Sequence, residues 1–125
     1  MMLQTTMIAF GGALGAVLRF WVSTGFYQLL GRDFPYGTLA VNVIGSLLMG
    51  FLSIWMIDRL FATEWKMAVL VGLLGAFTTF STFSLDTFYL IENQAYFKAL
   101  LNITSNVLLC IVALWLGMLL ARQLS

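Results

Sequence analysis

Histidine is absent from this sequence, and cysteine and proline occur once each, as Cys110 and Pro35. Without histidine there is no imidazole base for a hydrolase triad and no His-based metal site. One cysteine excludes an intrachain disulfide or a CxxC redox pair. Charge is scarce as well, with 6 Lys+Arg and 5 Asp+Glu among 125 residues. A net charge of +1 supplies no basic field for a phosphate backbone, which excludes nucleic acid as a partner. The same shortage excludes a water-soluble surface, because a chain this small exposes much of itself and 9% charged residues cannot cover it. These absences point away from catalysis and towards lipid as the solvent.

What the chain has in abundance is apolar length: 62% of its residues are hydrophobic and its mean hydropathy is +0.99. Four hydrophobic segments cover about residues 3–30, 37–57, 67–91 and 96–120. At 1.5 Å per residue each is long enough to cross a hydrocarbon core of roughly 30 Å as a helix, and they are too few and too long for barrel strands. Segment one lacks a basic start and continues past residue 20, so it does not read as a cleaved leader. Pro35 is placed to start the second helix, while Thr63 to Lys66 and Glu92 to Gln94 read as loops. The expectation is an all-α membrane protein, residues 1–125 forming one domain of four transmembrane helices.

Four spans put both termini on one side. Arg59, Lys66 and Arg122 then mark one face of the membrane, and Arg32 and Lys98 the other. So small a bias barely specifies orientation under the positive-inside rule, which leaves open both a dual topology with pairing of opposite copies and a single orientation set by other factors. Gly11 to Gly15 is a GxxxG and Ser46 to Gly50 a small-xxx-small pattern, serving contacts within one subunit or between two. Trp21, Tyr27, Tyr36, Trp55, Trp65, Tyr89, Tyr96 and Trp115 lie mostly near segment ends and read as interface anchors.

Polar residues at membrane depth must find partners or face a cavity. Thr38, Asn42 and Ser46 recur every four residues on segment two, as do Asn102, Asn106 and Cys110 on segment four. Such stripes either line a narrow aqueous path or cross-link helices. In segment three, five of the seven residues from Thr78 to Ser84 carry hydroxyls, and Gly72 and Gly75 precede them. Side chains that compete for backbone groups favour a broken third helix, although Ser and Thr can also bond back within an intact one. Carbonyls freed by a break suit a cation such as Na⁺, and the start of the next half-helix suits an anion. Phe80 and Phe83, three apart, share a face, and the electropositive edges of their rings can accompany a small anion; plain packing is the alternative. Arg19 can draw anions into a vestibule, pair with Asp86 or anchor a loop.

The stretches GGALGAVLRF at 11–20, GTLAVNVIG at 37–45 and GAFTTFSTFS at 75–84 resemble the three signatures of the CrcB/Fluc fluoride channel family, and the likeness covers all four segments in order. The resemblance implies a bacterial inner-membrane, multi-pass protein that exports cytoplasmic fluoride passively. It also implies an antiparallel, dual-topology homodimer with two pores along the subunit interface. By matching position, Asn42 resembles the asparagine that orients the phenylalanines, and Phe80 and Phe83 resemble the paired rings that contact fluoride, one contributed by each subunit to a given pore. Thr38, Ser81 and Thr82 fall where the family has polar residues around the path, and Asn106 falls on its segment-four polar track. Arg19 matches the vestibule arginine. Gly75 and Thr78 match the residues whose backbone carbonyls hold a structural Na⁺ on the dimer axis. A Gly is common in the family where Leu109 stands here, and Tyr or Ser often stands on the segment-four track. The rival reading is a proton-coupled small-molecule exporter, for which Asp86 is the sole intramembrane carboxylate to carry the proton.

Overall fold

The computed structural model describes residues 1–124, and every regular element among them is helical. Helix α1 spans Met2–Leu30 and α2 spans Tyr36–Asp58. A third span is composite: α3 (Thr63–Lys66) runs directly into a π-helical stretch, Met67–Leu73, then α4 (Leu74–Phe77) and α5 (Phe80–Glu92). The last helix, α6, spans Tyr96–Leu124. Four units, Met2–Leu30, Tyr36–Asp58, Thr63–Glu92 and Tyr96–Leu124, are long and apolar enough to cross a membrane.

Local chemistry sets the boundaries. Gly31 ends α1 in the left-handed region at φ 86°, its N–H donating to the Tyr27 carbonyl. Pro35 is the residue that caps α2. Helices α2 and α5 end in the same way, with Phe61 N–H donating to the Met56 carbonyl and Ala95 N–H to the Leu90 carbonyl. Both are Schellman closures, built here on Leu60 (φ 55°) and Gln94 (φ 62°) rather than glycine. The stretch from Thr63 to Lys66, expected as loop, is helical, because the Ala62 carbonyl accepts from the N–H groups of Trp65 and Lys66. Its charges read as a loop in the sequence, yet Glu64 in a first turn is favoured by the helix dipole. Segment four was expected to close at 120; Ala121 to Leu124 contain no breaker and continue α6.

Glycines decide which helices touch. A Cβ at Gly50 would fall against the Leu114 carbonyl and one at Gly117 against the Leu47 carbonyl, so α2 and α6 meet backbone to backbone. Gly11 and Gly15 meet the carbonyls of Ala68 and Leu73 in the same way, seating α1 on the π-helical stretch. Gly11 and Gly15 of the GxxxG and Gly50 of the small-xxx-small pattern therefore make contacts within the subunit. At both ends an arginine lies on an aromatic ring: Arg32 over Tyr27 at 4.4 Å and Arg59 over Trp55 at 5.5 Å.

The distribution of polarity differs from that of a soluble protein: amides and hydroxyls share the interior with Val41, Leu74 and Phe77, and large apolar side chains cover the outside. Phe10, Phe20, Phe97 and Ile111 are exposed, whereas Thr38, Asn42, Thr79, Thr87, Asn102 and Asn106 are buried. Apolar groups face outward and hydrogen-bonding groups inward, as a lipid solvent demands.

Candidate functional site

The third span is broken, as its hydroxyl run predicts. Thr78 N–H and Oγ1 both donate to the Leu74 carbonyl, at 3.1 Å each, and close α4. Thr78 and Thr79 are then extended before α5 starts at Phe80. Thr79 caps α5 with its own side chain, Oγ1 accepting from Thr82 N–H at 3.1 Å. An interruption at this depth exposes backbone groups that water cannot satisfy. Asn42 satisfies two of them at once: Oδ1 accepts from Thr79 N–H at 2.8 Å, and Nδ2 donates to the Thr79 carbonyl at 3.0 Å. Arg19 reaches the Thr78 carbonyl with NH1 at 3.4 Å, a long bond.

Behind Asn42 lies a ladder of amides. Asn42 Nδ2 also donates to Asn106 Oδ1 at 2.9 Å, and Asn106 Nδ2 donates to the Asn102 carbonyl and to its Oδ1 at 2.9 and 3.0 Å. Asn102 Nδ2 donates to Thr87 Oγ1 at 2.9 Å, and Thr87 Oγ1 donates to the Phe83 carbonyl at 2.8 Å. Both protons of Asn42 and both of Asn106 are thus committed to protein acceptors.

Two cavities flank this partition, and Thr79 lines both. One, of about 400 Å³, is bounded by Asn42, Gly45, Ser46, Met49, Thr78, Phe80, Phe83, Asn106 and Cys110. The other, of about 330 Å³, is bounded by Arg19, Ser23, Tyr27, Arg32, Thr38, Thr82 and Asp86. The phenylalanine pair stands in the first: ring centroids 5.2 Å apart, planes at 70°, the edge of one ring on the face of the other. Phe83 is 7% exposed and Phe80 is 75% exposed, so one ring is packed and its neighbour projects from the subunit.

The two expected stripes divide. Thr38 faces the charged cavity, where its Oγ1 donates to Asp86 Oδ2 at 2.7 Å and lies 3.4 Å from the Tyr27 hydroxyl. Asn42 sits at the partition and Ser46 lines the other cavity. On α6, Asn106 and Cys110 line the larger cavity, but Asn102 is fully buried and lines neither. Thr82 faces the charged cavity, whereas Ser81 is exposed and borders neither, its hydroxyl 3.4 Å from that of Thr79. Arg19 lines the charged cavity and bonds to Thr78, while the acidic Asp86 takes the Thr38 hydroxyl. Gly75 is exposed.

Three roles escaped sequence reasoning. Thr79 was one hydroxyl among five, and its separation of three from Thr82 was the available sign of a cap. Thr87 carried a signal only in its distance of four from Phe83, and Tyr27 read as an interface anchor. None of these marks their partners on α2 and α6, which only packing supplies.

Residues 6–118 match the family described as CrcB-like protein, Camphor Resistance (CrcB). The fluoride-specific ion channel FluC of Methylococcus capsulatus is 58% identical; the alignment covers 100% of this chain and 55% of that protein. The chain therefore spans about half the length of that relative. The fluoride-specific ion channel FluC of Magnetococcus marinus is 50% identical over 96% of this chain and 98% of its own. That of Coxiella burnetii is 48% identical over 98% and 100%. These relatives are named as channels, not enzymes. A match across most of the length, relatives at about half identity and four apolar spans with one broken make this chain a multi-pass membrane protein of the CrcB family.

Proposed function

We propose that this chain is a passive, fluoride-selective channel that exports cytoplasmic fluoride across the bacterial inner membrane. The observation that carries the reading is the Phe80–Phe83 pair, set edge to face beside a helix break that separates a charged cavity from an apolar one. Arg19 and Arg32 raise the local anion concentration in the charged cavity. The Thr82 hydroxyl replaces part of the water that fluoride gives up, and ring edges carry it further without the tight hold of a lysine; the Thr38 proton is held by Asp86. In this proposal a narrow, fixed path excludes chloride by size, and cations lack replacement ligands along the path itself. Asn42 acts by shaping this path, since both of its amide protons are engaged with the protein.

The working unit in this proposal is an antiparallel homodimer of dual topology with two pores. In support, Phe80 projects from the subunit and the larger cavity opens to the side, so one copy leaves the path without a complete wall. A structural Na⁺ at the subunit interface belongs to the same proposal. The Thr79 N–H that would serve the Gly75 carbonyl in an unbroken helix goes to Asn42, and the Thr78 carbonyl holds only a long bond from Arg19. Neutral backbone oxygens with spare acceptor capacity suit a hard cation, so Gly75 and Thr78 are the residues that would hold it. Its charge would tie the carbonyls of two subunits together.

The test is fluoride-electrode efflux from liposomes carrying the purified protein, run beside chloride efflux and a Phe80→Ile variant. Rapid fluoride release without chloride release, lost in the variant, is the expected result. Folded, reconstituted protein that releases no fluoride would overturn the reading.

A further inference from the structure

The hydrogen-bond chain behind the rings has a direction. Its first donor is the Thr79 backbone N–H and its last acceptor is the Phe83 carbonyl, two groups that cannot exchange roles. Between them run Asn42, Asn106, Asn102 and Thr87, each donating to the next. Turning over any one amide would set N–H against N–H at one end and oxygen against oxygen at the other. The chain is therefore locked in one orientation, in surroundings that exclude water: Asn102 is 0% exposed and Thr87 8%. It starts and ends on the same short piece of backbone, residues 79–83, the turn that carries both phenylalanines.

We infer that Asn102 and Thr87 are positioning residues for the Phe83 ring, acting from outside both cavities through this chain. This rests on the fluoride-channel reading above and deepens it. Asn102 belongs to a stripe that the sequence left open between lining a path and cross-linking helices, and it touches neither cavity. Its available action is mechanical: it presents one amide proton to Thr87, which leaves the Thr87 hydroxyl proton for the Phe83 carbonyl. Asn42 holds the start of the ring-bearing turn and Thr87 its end. A ring edge meant to accept a small anion and refuse a larger one needs both ends of its turn held, because rotation of the turn would displace the Phe83 ring from its edge-to-face contact with Phe80.

Thr87 separates this role from plain packing. Thr87→Val keeps the shape and removes the hydroxyl; Thr87→Ser keeps the hydroxyl and removes the methyl. Each variant is reconstituted, its folding checked by size-exclusion elution and circular dichroism, and fluoride and chloride efflux are measured. A second readout is the ¹⁹F resonance of 4-fluorophenylalanine incorporated at position 83, recorded in fluoride-free buffer. The expectation is at least a tenfold fall in the fluoride-to-chloride rate ratio for Thr87→Val, with a broadened or split resonance. Thr87→Ser should stay within twofold of the parent and keep a single line. A Val variant that matches the parent in both readouts, or a Ser variant as damaged as the Val variant, would overturn the inference. Should the parent release no fluoride, the channel reading fails by itself and the resonance alone decides the positioning role.

Discussion

The two cavities on either side of Thr79 share a helix and differ in character. Helix α2 lends Thr38 to one and Ser46 to the other, two turns apart, with Asn42 between them. The first of these hydroxyls meets Asp86, with Arg19 and Arg32 lining the same space; around the second lie Met49, Phe80, Phe83 and Leu114. A polar stripe on one helix thus says little about the polarity of the space it lines. The neighbours decide that, and here they make one space charged and the other apolar; in the proposed channel the first would gather anions and the second select among them.

Asn42→Leu should break the division most severely. It strands the Thr79 N–H, the Thr79 carbonyl and Asn106 Oδ1 together, and at about 1–3 kcal/mol for each buried unsatisfied group the total exceeds about 3 kcal/mol. Thermal unfolding in detergent should show the loss, and fluoride efflux should vanish. Arg19→Gln tests the gathering side alone: efflux should fall about tenfold at 10 mM salt and much less at 0.5 M, because exposed fields are screened over about 4 Å at high salt. A deficit that ignores salt would place Arg19 in structure, through its bond to Thr78, and not in attraction.

Asp86→Asn probes the same cavity from the acidic side. Its amide still accepts from Thr38, so a channel should change by no more than about fivefold, the scale of one solvated charge a few ångströms from the path. Loss of transport coupled to a proton gradient would instead favour the proton-coupled exporter. The smallest effect is expected from Ser46→Ala in the apolar cavity, within about 1 kcal/mol in stability, since the partner it loses is the half-buried Cys110 thiol, a weak hydrogen-bonding group. Comparing it with Thr38→Val, which leaves the Asp86 carboxylate without its hydroxyl donor, would sharpen the contrast between the cavities.

Much of this was legible in the sequence. The four spans follow from apolar runs of membrane-crossing length, and the break follows from hydroxyls and glycines crowded into residues 72–84. Asn42 and Asn106 were marked because a buried amide needs a partner. Less legible was Asn102, which obeys the same spacing as Asn106 yet turns away from both cavities. A period of four cannot separate residues that lie on the boundary of a helix face. Thr63 to Lys66 failed for a related reason, since charges at a membrane surface are as compatible with a helix start as with a loop.

By itself, then, the order of residues determined the solvent, the number of spans and the site of the break, because each depends on hydropathy and backbone competition within a single stretch of chain. Only the tertiary structure decided what holds the break together. Asn42 lies 37 residues from Thr79 and 64 from Asn106, and their bonds exist because Gly45, Gly50 and Gly117 let α2 approach both the break and α6 closely. A hydrogen bond requires atoms about 3 Å apart, and that distance is set by packing between helices, which no single segment encodes.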